Sequence, residues 1–343
     1  MKRISWAIKV PKEKAEDVHK ILLKRKIIDR NLKTLSDDRF VYFPVITPTK
    51  IEGFELLKME FPQRPTINPK VRLLEELKKR VPENIISQIP LYWEILGDAI
   101  IIKLPEYLDS YKEVIGESFA KALNKRSVYV ERGVSGEYRV PKMELVWGPG
   151  GPVIHKENGV LYKLDPAKVM FSSGNIDERI RMSKISSKRE VVVDMFAGIG
   201  YFALQIAVHS KPRILYAAEK NPIAYSFLIE NIRINRVEDI VIPLLGDNRN
   251  VLPEGVADRV VMGYLHGTEK FLEKAFMILK PNGGFVHYHD LVHNDLGIKE
   301  ARDRVLRVAE HHGVEIAIMN SRYVKSYSPN IWHIVLDLRV CIK

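Results

Sequence analysis

The sequence contains a single cysteine, Cys341, which excludes disulfide bonds within the chain and cysteine-rich zinc sites. No apolar run approaches the ~18 residues that a membrane-spanning helix needs. The charge of Lys9 interrupts the N-terminus before a signal-peptide core can form. Internal repeats and low-complexity tracts are also lacking. We therefore expect a cytoplasmic protein without membrane attachment.

Basic residues exceed acidic ones, giving a net charge of +11 and a pI near 9.4. Residues 1–150 carry 28 Lys and Arg against 21 Asp and Glu. Such a surplus suits a phosphate-rich partner, but it also suits the charge-laced surface of a heat-adapted protein. Charge alone therefore leaves nucleic-acid binding open.

Three segments differ in pattern, and we predict a domain for each, over residues 1–62, 63–165 and 166–343. The first combines a helical pattern from Pro11 to Ile28 with a strand-like run over Phe40–Val45. The second also mixes helices and strands; its predicted elements are the helix Val71–Arg80, the strand Ala99–Ile102 and the helix Tyr111–Leu123. Both small domains are therefore expected to be α+β.

From about residue 175, short apolar strands alternate with helices, a pattern that predicts an open α/β sheet with helices on both faces. The predicted strands are Val191–Phe196, Ile214–Ala218, Ile240–Leu245, Arg259–Tyr264, Gly284–His289, Val314–Met319 and Trp332–Val340. The predicted helices are Ala203–His209, Ala224–Asn235, Thr268–Leu279 and Lys299–His312. The link Asn320–Ile331 is too short for a helical crossover, so the last two strands should pair antiparallel. We predict a Rossmann-like domain with a seven-stranded, mostly parallel sheet.

Acidic residues follow three of these strands at their carboxyl ends, where open α/β sheets bind ligands. Asp194 precedes the run Phe196–Gly200, whose glycines permit a tight turn and a close approach to a ligand. Glu219 closes the next strand and suits the two hydroxyl groups of a ribose. Asp247 and Asn248 follow the third strand and suit the exocyclic amine of adenine. Together these residues predict a binding site for S-adenosylmethionine.

A dinucleotide site is the main alternative reading of the glycine-rich run. With Ala203, the glycines imitate the pattern Gly-x-Gly-x-x-Ala, and Glu219 stands about the expected ~20 residues further on. However, Asp194 would crowd a pyrophosphate, whereas it could bind an ammonium group, and Asp247 has no role in the dinucleotide pattern. A further alternative, that these are only strand-end turn residues, explains one such position better than three.

The segment before this domain adds a family resemblance. Residues His155–Asp165, Lys168–Ser172 and Glu178–Arg179, followed by Asp194–Gly200, resemble the tRNA guanine-N1 methyltransferases that act 3′ of the anticodon. They also resemble the related tRNA wybutosine-synthesising aminocarboxypropyl transferases. The resemblance covers roughly residues 70–343, and residues 1–60 resemble the N-terminal tRNA-recognition domain of the archaeal methyltransferases, chiefly through Tyr42–Val45. It implies a class I methyltransferase-like fold, a middle domain that contacts tRNA, and S-adenosylmethionine as co-substrate.

Two departures separate the branches of this family. The methyltransferases carry Asn-Leu-Pro at a strand end where this sequence reads Met262-Gly263-Tyr264, and an Arg where it has Gly174. Both departures resemble the aminocarboxypropyl transferases, whose strand end reads Met-Gly and whose loop reads Ser-x-x-Asn before Glu-Arg. The sulfonium makes all three attached carbons electrophilic, so turning the methionine portion changes which carbon lies in line with a nucleophile.

The resemblance therefore implies transfer of the 3-amino-3-carboxypropyl group to 4-demethylwyosine at position 37 of tRNA-Phe, with release of methylthioadenosine. A tRNA guanine-37 N1-methyltransferase is the alternative in the same fold. A tRNA-binding protein that retains the cofactor fold without catalysis is the alternative of another class. In each case the expected partner is the anticodon region of tRNA, and we expect a monomer.

The resemblance also implies roles for individual residues. Ser172 and Arg179 would contact the methionine portion, and Arg179 suits a bidentate hold on a carboxylate. Glu178 and Arg139 are the catalytic candidates, Glu178 as general base and Arg139 as a contact to base or phosphate. Their alternatives are a carboxylate stabilised by a helix N-terminus and a surface arginine. The full predicted cofactor set is Ser172, Arg179, Asp194, Phe196, Ala197, Gly198, Gly200, Glu219, Lys220, Asp247 and Asn248.

Two interpretations are open for each of two groups of residues, one of histidines and one of tyrosines. His287, His289 and His293 have a spacing that could place two imidazoles on one strand face, but too few nearby carboxylates complete a metal site, so none is expected. Strand-end histidines that serve a pocket or the core are the preferred reading. Tyr201 and Tyr264 could stack on an extruded base, or they could be core aromatics.

Overall fold

The computed structural model describes residues 2–63, 68–136 and 140–342. Two compact units emerge from the contacts between residues, comprising residues 1–72 and 73–343. The boundary between the predicted first and second domains lies near this division. Within the second unit, one face of a middle sheet has a core of its own, whereas Leu96, Ala99 and Ile101 of that sheet share a core with a larger sheet.

The first unit is a four-stranded antiparallel sheet covered by one helix. Its strands are β1 (Lys2–Pro11), β2 (Leu35–Ser36), β3 (Phe40–Val45) and β4 (Glu55–Pro62), in the spatial order β2-β3-β1-β4. After a 3₁₀ turn at Lys12–Lys14, helix α1 covers Ala15–Lys24. Val18 and Leu22 of this helix pack on Ile8 and Phe43 of the sheet. The predicted strand β3 has the observed limits, whereas the predicted helix is too long at both ends.

The middle region contains a second small sheet. Its elements are α2 (Pro69–Lys78), α3 (Glu83–Ile86), β5 (Trp93–Leu96), β6 (Ala99–Ile102), a 3₁₀ helix (Glu106–Tyr111), α4 (Lys112–Leu123), β7 (Ser127–Ser135) and β8 (Val140–Trp147). The order is β5-β6-β7-β8, and β6 and β7 run parallel because α4 crosses between them. The apolar side chains of α2 and α4 bury one face of this sheet.

A hairpin of β9 (Val153–Glu157) and β10 (Val160–Leu164) leads into the large sheet. Asn158 and Gly159 form its turn with φ angles of 49° and 83°. Two consecutive positive φ values are what an Asn-Gly hairpin turn requires. A 3₁₀ turn at Ser173–Asn175 and helix α5 (Ile176–Met182) follow.

The large sheet has seven strands in the order β13-β12-β11-β14-β15-β17-β16. Its strands are β11 (Val191–Asp194), β12 (Ile214–Glu219), β13 (Val241–Leu245), β14 (Arg259–Met262), β15 (Gly284–His293), β16 (Val314–Ser328) and β17 (Ile331–Ile342). Its helices are α6 (Ala203–His209), α7 (Pro222–Ile234), α8 (Asn248–Val251), α9 (Leu272–Ile278, after a 3₁₀ turn at Thr268–Phe271) and α10 (Gly297–His311). Strands β11 to β15 are parallel; β17 pairs antiparallel with β16, as predicted, and it also pairs antiparallel with β15.

The last hairpin differs from the prediction in length. Strand β16 runs on to Ser328, so the link to β17 is Pro329-Asn330 rather than the twelve residues expected, and Asn330 has a φ of 62°. Register shifts in β16 at three points accommodate its length. Among the described residues, no helix is long and apolar enough to cross a membrane.

Candidate functional site

Three neighbouring parallel strands bring the predicted acidic residues to one edge of the large sheet. Asp194 ends β11, Glu219 ends β12, and Asp247 lies two residues after β13. Since β12 lies between β11 and β13, the three carboxylates follow adjacent strands. The structure thus places them side by side, at the sheet edge where open α/β folds bind ligands.

The glycine-rich run forms a loop that is tied to the end of β12. Gly198 and Gly200 have φ angles of 58° and 101°, which side-chain-bearing residues rarely adopt. The Gly198 N–H donates to Oε2 of Glu219 at 2.7 Å, and the Ala197 N–H donates to the Ala218 carbonyl at 2.9 Å. The loop therefore has a fixed position relative to Glu219.

Asp194 is fully buried beneath this loop. Its carboxylate accepts hydrogen bonds from the N–H groups of Phe196 and Ala203, both at 3.2 Å. Burial raises the pKa of Asp194 to about 7, against the opposing effect of these two hydrogen bonds. Asp194 therefore stabilises the loop.

Glu219 is held by backbone donors on both oxygens, since Asn221 N–H donates to Oε1 at 2.6 Å while Gly198 N–H donates to Oε2. Burial raises the pKa of Glu219, although these hydrogen bonds lower it in part. Each carboxylate oxygen has two lone pairs, so these donors leave acceptor capacity for ribose hydroxyl groups.

Asp247 and Asn248 differ in how their acceptors are satisfied. Arg249 donates to both oxygens of Asp247, at 2.9 and 2.6 Å, and this lowers the pKa of Asp247 to about 2. Lys220 Nζ lies 3.7 Å from the same carboxylate. Asn248 donates to the Met195 carbonyl at 2.9 Å, but its buried Oδ1 has no donor within the described residues. A buried acceptor is normally paired, so Asn248 Oδ1 fits the amine of an adenine.

Arg179 is buried, and its guanidinium is already engaged. Its Nε and Nη2 donate to the two oxygens of Glu157 at 2.5 and 2.7 Å, and Nη2 also donates to the Ser172 carbonyl at 2.9 Å. The guanidinium lies 4.8 Å from the centre of the Phe171 ring. The bidentate face that we predicted for a methionine carboxylate therefore holds Glu157. This ion pair joins the β9–β10 hairpin to the segment that contains Ser172.

Glu178 lies in a buried network of charges. Arg181 donates to Glu178 at 2.6–3.1 Å and to Asp337 of β17 at 2.8 and 3.2 Å. Arg322 Nη1 and His289 Nε2 approach the Glu178 carboxylate at 3.7 and 3.9 Å. The contact between Arg181 and Asp337 was not predicted, because 156 positions separate the two residues.

The histidines that we considered as metal ligands are buried in this network, apart from His293, which is exposed. His287 Nδ1 lies 2.5 Å from Asp337, and its Nε2 lies 2.8 Å from Arg259. His289 Nδ1 lies 3.0 Å from His333 Nε2, and burial lowers the pKa of both imidazoles. Within the part of the chain that the structure describes, no three histidine, cysteine or acidic side chains are grouped to hold a metal ion.

The aromatic candidates have different surroundings. Tyr264 stacks on Phe196, with 4.9 Å between ring centres and an angle of 12°. Tyr201 donates its hydroxyl hydrogen to the Met170 carbonyl, and burial raises its pKa. Arg139 lies outside the described residues.

Comparisons with known proteins show which families this chain is similar to. Residues 153–317 match the TRM5/TYW2 methyltransferase domain, residues 73–151 the TYW2 N-terminal domain, and residues 7–55 the tRNA methyltransferase 5 N-terminal domain. A tRNA(Phe) (4-demethylwyosine(37)-C(7)) aminocarboxypropyltransferase of Pyrococcus horikoshii is 41% identical over 80% of this chain and 97% of its own length.

A tRNA (guanine(37)-N(1))-methyltransferase Trm5b of Pyrococcus abyssi is 33% identical over 98% of this chain and 99% of its own length. Among solved structures, P. horikoshii TYW2 in complex with MeSAdo matches with a TM-score of 0.73 and 39% identity. That match covers 80% of this chain and all of the other. The predicted class I methyltransferase-like fold is confirmed.

Proposed function

We propose that this chain, which belongs to the TYW2 family of tRNA-modifying enzymes, transfers the 3-amino-3-carboxypropyl group of S-adenosylmethionine to 4-demethylwyosine at position 37 of tRNA(Phe). The observation that carries this function is the 41% identity to an aminocarboxypropyltransferase over 97% of that enzyme. The acceptor atom named for that relative is C7 of the base. The sequence-based prediction of both the family and the reaction agrees with this conclusion.

The transfer needs an in-line attack and the removal of one proton. C7 of the acceptor base attacks the γ-carbon of the methionine portion, and the C–S bond breaks with its electron pair on sulfur, so that methylthioadenosine leaves uncharged. The hydrogen of C7 leaves as a proton, which a base must accept. Glu178 of α5 is our candidate for that base, since its carboxylate is buried and is approached by His289 of β15 and Arg322 of β16.

The cofactor assignments are proposals supported by the local geometry. Asn248 would accept from the adenine amine, because its Oδ1 is buried and lacks a donor within the described residues. Glu219 would bind the ribose, and Asp194 the ammonium group. The loop residues Phe196, Ala197, Gly198 and Gly200 would line the site, with Lys220 and Asp247 at the adenine end.

A guanine-37 N1-methyltransferase is a second candidate, favoured by two observations. Residues 7–55 match the N-terminal domain of the tRNA methyltransferase 5 family, and the match to the methyltransferase of P. abyssi extends over 98% of this chain. The identity is nevertheless lower, at 33% against 41%.

By-product analysis decides between the two reactions. The chain is incubated with S-adenosylmethionine and tRNA(Phe) that carries either unmodified guanosine or 4-demethylwyosine at position 37. We expect methylthioadenosine, formed only with the 4-demethylwyosine substrate. Formation of S-adenosylhomocysteine with the guanosine substrate would identify a methyltransferase instead. Binding of S-adenosylmethionine without turnover on either tRNA would support a non-catalytic protein.

We also propose that residues 1–62 recognise tRNA and that residues 63–165 contact it, with residues 166–343 carrying the reaction. The match of residues 7–55 to a tRNA methyltransferase domain supports the first role. Arg139, in the middle region, remains a proposed contact to base or phosphate. We also propose a monomer, since one chain supplies all the predicted site residues. A cytoplasmic location is proposed because tRNA is the substrate.

A further inference from the structure

His289 lies at the carboxyl edge of the large sheet, beside the loop that carries the predicted cofactor residues. In the parallel ladder of β14 and β15, Met262 pairs with Tyr288, so His289 lies just beyond the end of β14. Its ring centre is 5.0 Å from that of Phe202, the last residue of the loop between β11 and α6. His289 Nε2 also lies 3.9 Å from Oε1 of Glu178. These contacts bring our candidate base to the edge of the sheet where the cofactor is expected.

His289 and His333 form a buried pair of imidazoles. Each residue is 1% exposed, and Nδ1 of His289 lies 3.0 Å from Nε2 of His333. Burial lowers the pKa of both rings, that of His333 to about 3, so both are neutral at neutral pH. A neutral imidazole has a single N–H, and one of the two N–H groups forms the bond between the rings. The other N–H therefore lies on one of the two outer nitrogens.

The two outer nitrogens, Nε2 of His289 and Nδ1 of His333, have no hydrogen-bond partner within residues 2–63, 68–136 and 140–342. With the proton on His289 Nε2, a donor faces the carboxylate of Glu178, and only one acceptor stays unpaired. With the proton on His333 Nδ1, an unpaired N–H is buried and two acceptors face each other at 3.9 Å. Because an unpaired buried donor is costly, the first arrangement is favoured. His333 Nε2 then donates to His289 Nδ1 and thereby fixes its tautomer.

Glu178 has an acceptor site for this donor. A carboxylate has about four such sites, and the two N–H groups of Arg181 fill about two of them. Nη2 of Arg181 donates to Oε1 at 2.6 Å, and Nε lies 3.0 Å from Oε2 and 3.1 Å from Oε1. Arg322 Nη1 stays beyond hydrogen-bond distance, 3.7 Å from Oε2. The separation of His289 from Oε1 has to shorten by about 1 Å, and catalytic hydrogen bonds often shorten in this way when the substrate binds.

We infer that His289 is a positioning residue for Glu178: its Nε2–H holds Oε1 while Oε2 accepts the proton that C7 of the acceptor base loses. In this step the C–H bond of C7 breaks, an O–H bond forms at Oε2, and the electron pair of the C–H bond returns to the ring of the base. His333 acts one residue further away, since it fixes which nitrogen of His289 carries the proton. The inference rests on the proposed function, in which Glu178 is the base.

The positions of the imidazole protons test the tautomer without tRNA and without turnover. The full chain is isotopically labelled at its histidine ring nitrogens and measured by NMR. We expect an N–H on Nε2 of His289 and on Nε2 of His333. The variants His289→Asn and His333→Asn assign the two sets of signals by their loss. Protons on Nδ1 of both rings would overturn the inference.

Two substitutions of His289 separate its two hydrogen bonds. Asparagine can place its amide where Nδ1 lies and keep the bond to His333, whereas glutamine can reach the position of Nε2 and donate to Glu178. We expect His289→Asn to slow single-turnover transfer by about 10- to 100-fold, a part of the ~10²–10⁴ that a positioned base contributes, and His289→Gln by less than about fivefold. His293→Asn, at an exposed histidine of the same strand, is the matched control and keeps the wild-type rate. Equal losses in the two His289 variants would show that His289 only packs, and would overturn the inference.

A double-mutant cycle shows whether His289 acts through Glu178. In the Glu178→Gln background, adding His289→Asn should change the single-turnover rate by less than about twofold, because the base that His289 positions is gone. Losses that multiply in full, or a Glu178→Gln variant as fast as the wild type, would also overturn the inference. Thermal melting and the affinity for S-adenosylmethionine monitor the folding of each variant. A wild-type chain that forms no methylthioadenosine would instead overturn the proposed function, and the tautomer measured without tRNA distinguishes that case.

Discussion

Asp194 places an ionisable carboxyl group where water cannot reach it. Full burial raises its pKa to about 7, from an ordinary value of 3.8 in the unfolded chain. The folded state therefore binds a proton more tightly than the unfolded state between these two pH values. The contribution of this carboxyl group to the free energy of unfolding is therefore fully present below pH 3.8 and is lost as the pH rises through 7.

We expect the free energy of unfolding of the wild-type chain to fall relative to that of Asp194→Asn between pH 4.5 and 7.5. Because a pKa difference of one unit corresponds to about 1.4 kcal/mol, the relative loss is on the order of 4 kcal/mol at most. Urea denaturation at the two pH values measures it. Asp247→Asn is the control, since the pKa of Asp247 is lowered to about 2 and its contribution is constant over this range. A flat difference for Asp194→Asn would contradict the prediction.

Single residues differ in how far the sequence reveals their role. Asp194 and Glu219 are predictable because each ends an apolar run whose strand type is clear. The partner of Arg179 is not predictable, because Glu157 lies 22 positions away on a hairpin that the pattern analysis did not identify. The contact of Lys325 to Ser172 is not predictable either, since it spans 153 positions.

The glycine loop between β11 and α6 is the element on which the cofactor site depends most directly. Gly200 has a φ of 101°, and a Cβ atom there would lie 2.5 Å from Cδ1 of Leu204 and 3.2 Å from Cδ1 of Leu228. Both leucines are buried in the core. An alanine would thus be strained in the backbone and would also overpack the core beneath the loop.

We expect Gly200→Ala to lower the free energy of unfolding by about 3 kcal/mol and to weaken binding of S-adenosylmethionine by more than about tenfold. The matched control is Gly255→Ala, since Gly255 has a φ of 69° but open space around its Cβ position. That variant should cost about 1 kcal/mol and leave the affinity unchanged. Equal losses for the two variants would show that backbone strain alone is responsible. Denaturation and calorimetric titration supply the two readouts.

Helices and strands with a regular apolar pattern were predicted correctly, whereas the residues at which some of them begin or end were not. Strand β6 and helix α6 have the predicted limits, because apolar periodicity fills each from end to end. Helix α7 starts two residues earlier than predicted, since Asn221 accepts from the Ile223 N–H and Pro222 suits the first turn. The hairpin of β9 and β10 was not predicted, although Asn158-Gly159 between apolar runs is its usual signal. Strand β4 was missed because charged residues interrupt it.

At the scale of the whole molecule, the chain combines parts that match different branches of one superfamily. Residues 7–55 match a methyltransferase N-terminal domain, whereas residues 73–151 match that of TYW2. The aminocarboxypropyltransferase of P. horikoshii matches 80% of this chain, and the methyltransferase of P. abyssi matches 98%. The match to the methyltransferase thus extends over more of this chain than the match to that aminocarboxypropyltransferase.

We expect deletion of residues 1–67 to weaken tRNA binding and to make it less dependent on salt, because fewer phosphate contacts remain. The deletion keeps helix α2, whose Leu73 and Leu77 belong to the core of the middle sheet. Affinity for S-adenosylmethionine should stay within about twofold and serves as the control. Filter binding at several salt concentrations measures the tRNA affinity. An unchanged affinity and salt slope would remove the first unit from tRNA recognition.

The order of strands in the large sheet also determines which strands lack a partner while the chain is being synthesised. Strand β17 is the last described strand in sequence, yet it lies between β15 and β16. Until the ribosome has produced it, β15 has no partner on that side, and β16 has no place in the sheet. A nascent chain that stops at Ser328 exposes an unpaired strand edge, which favours association with other chains. Lys325 lies in β16, so its hydrogen bond to Ser172 Oγ can form only after β17 has been made and has joined β16 to the sheet.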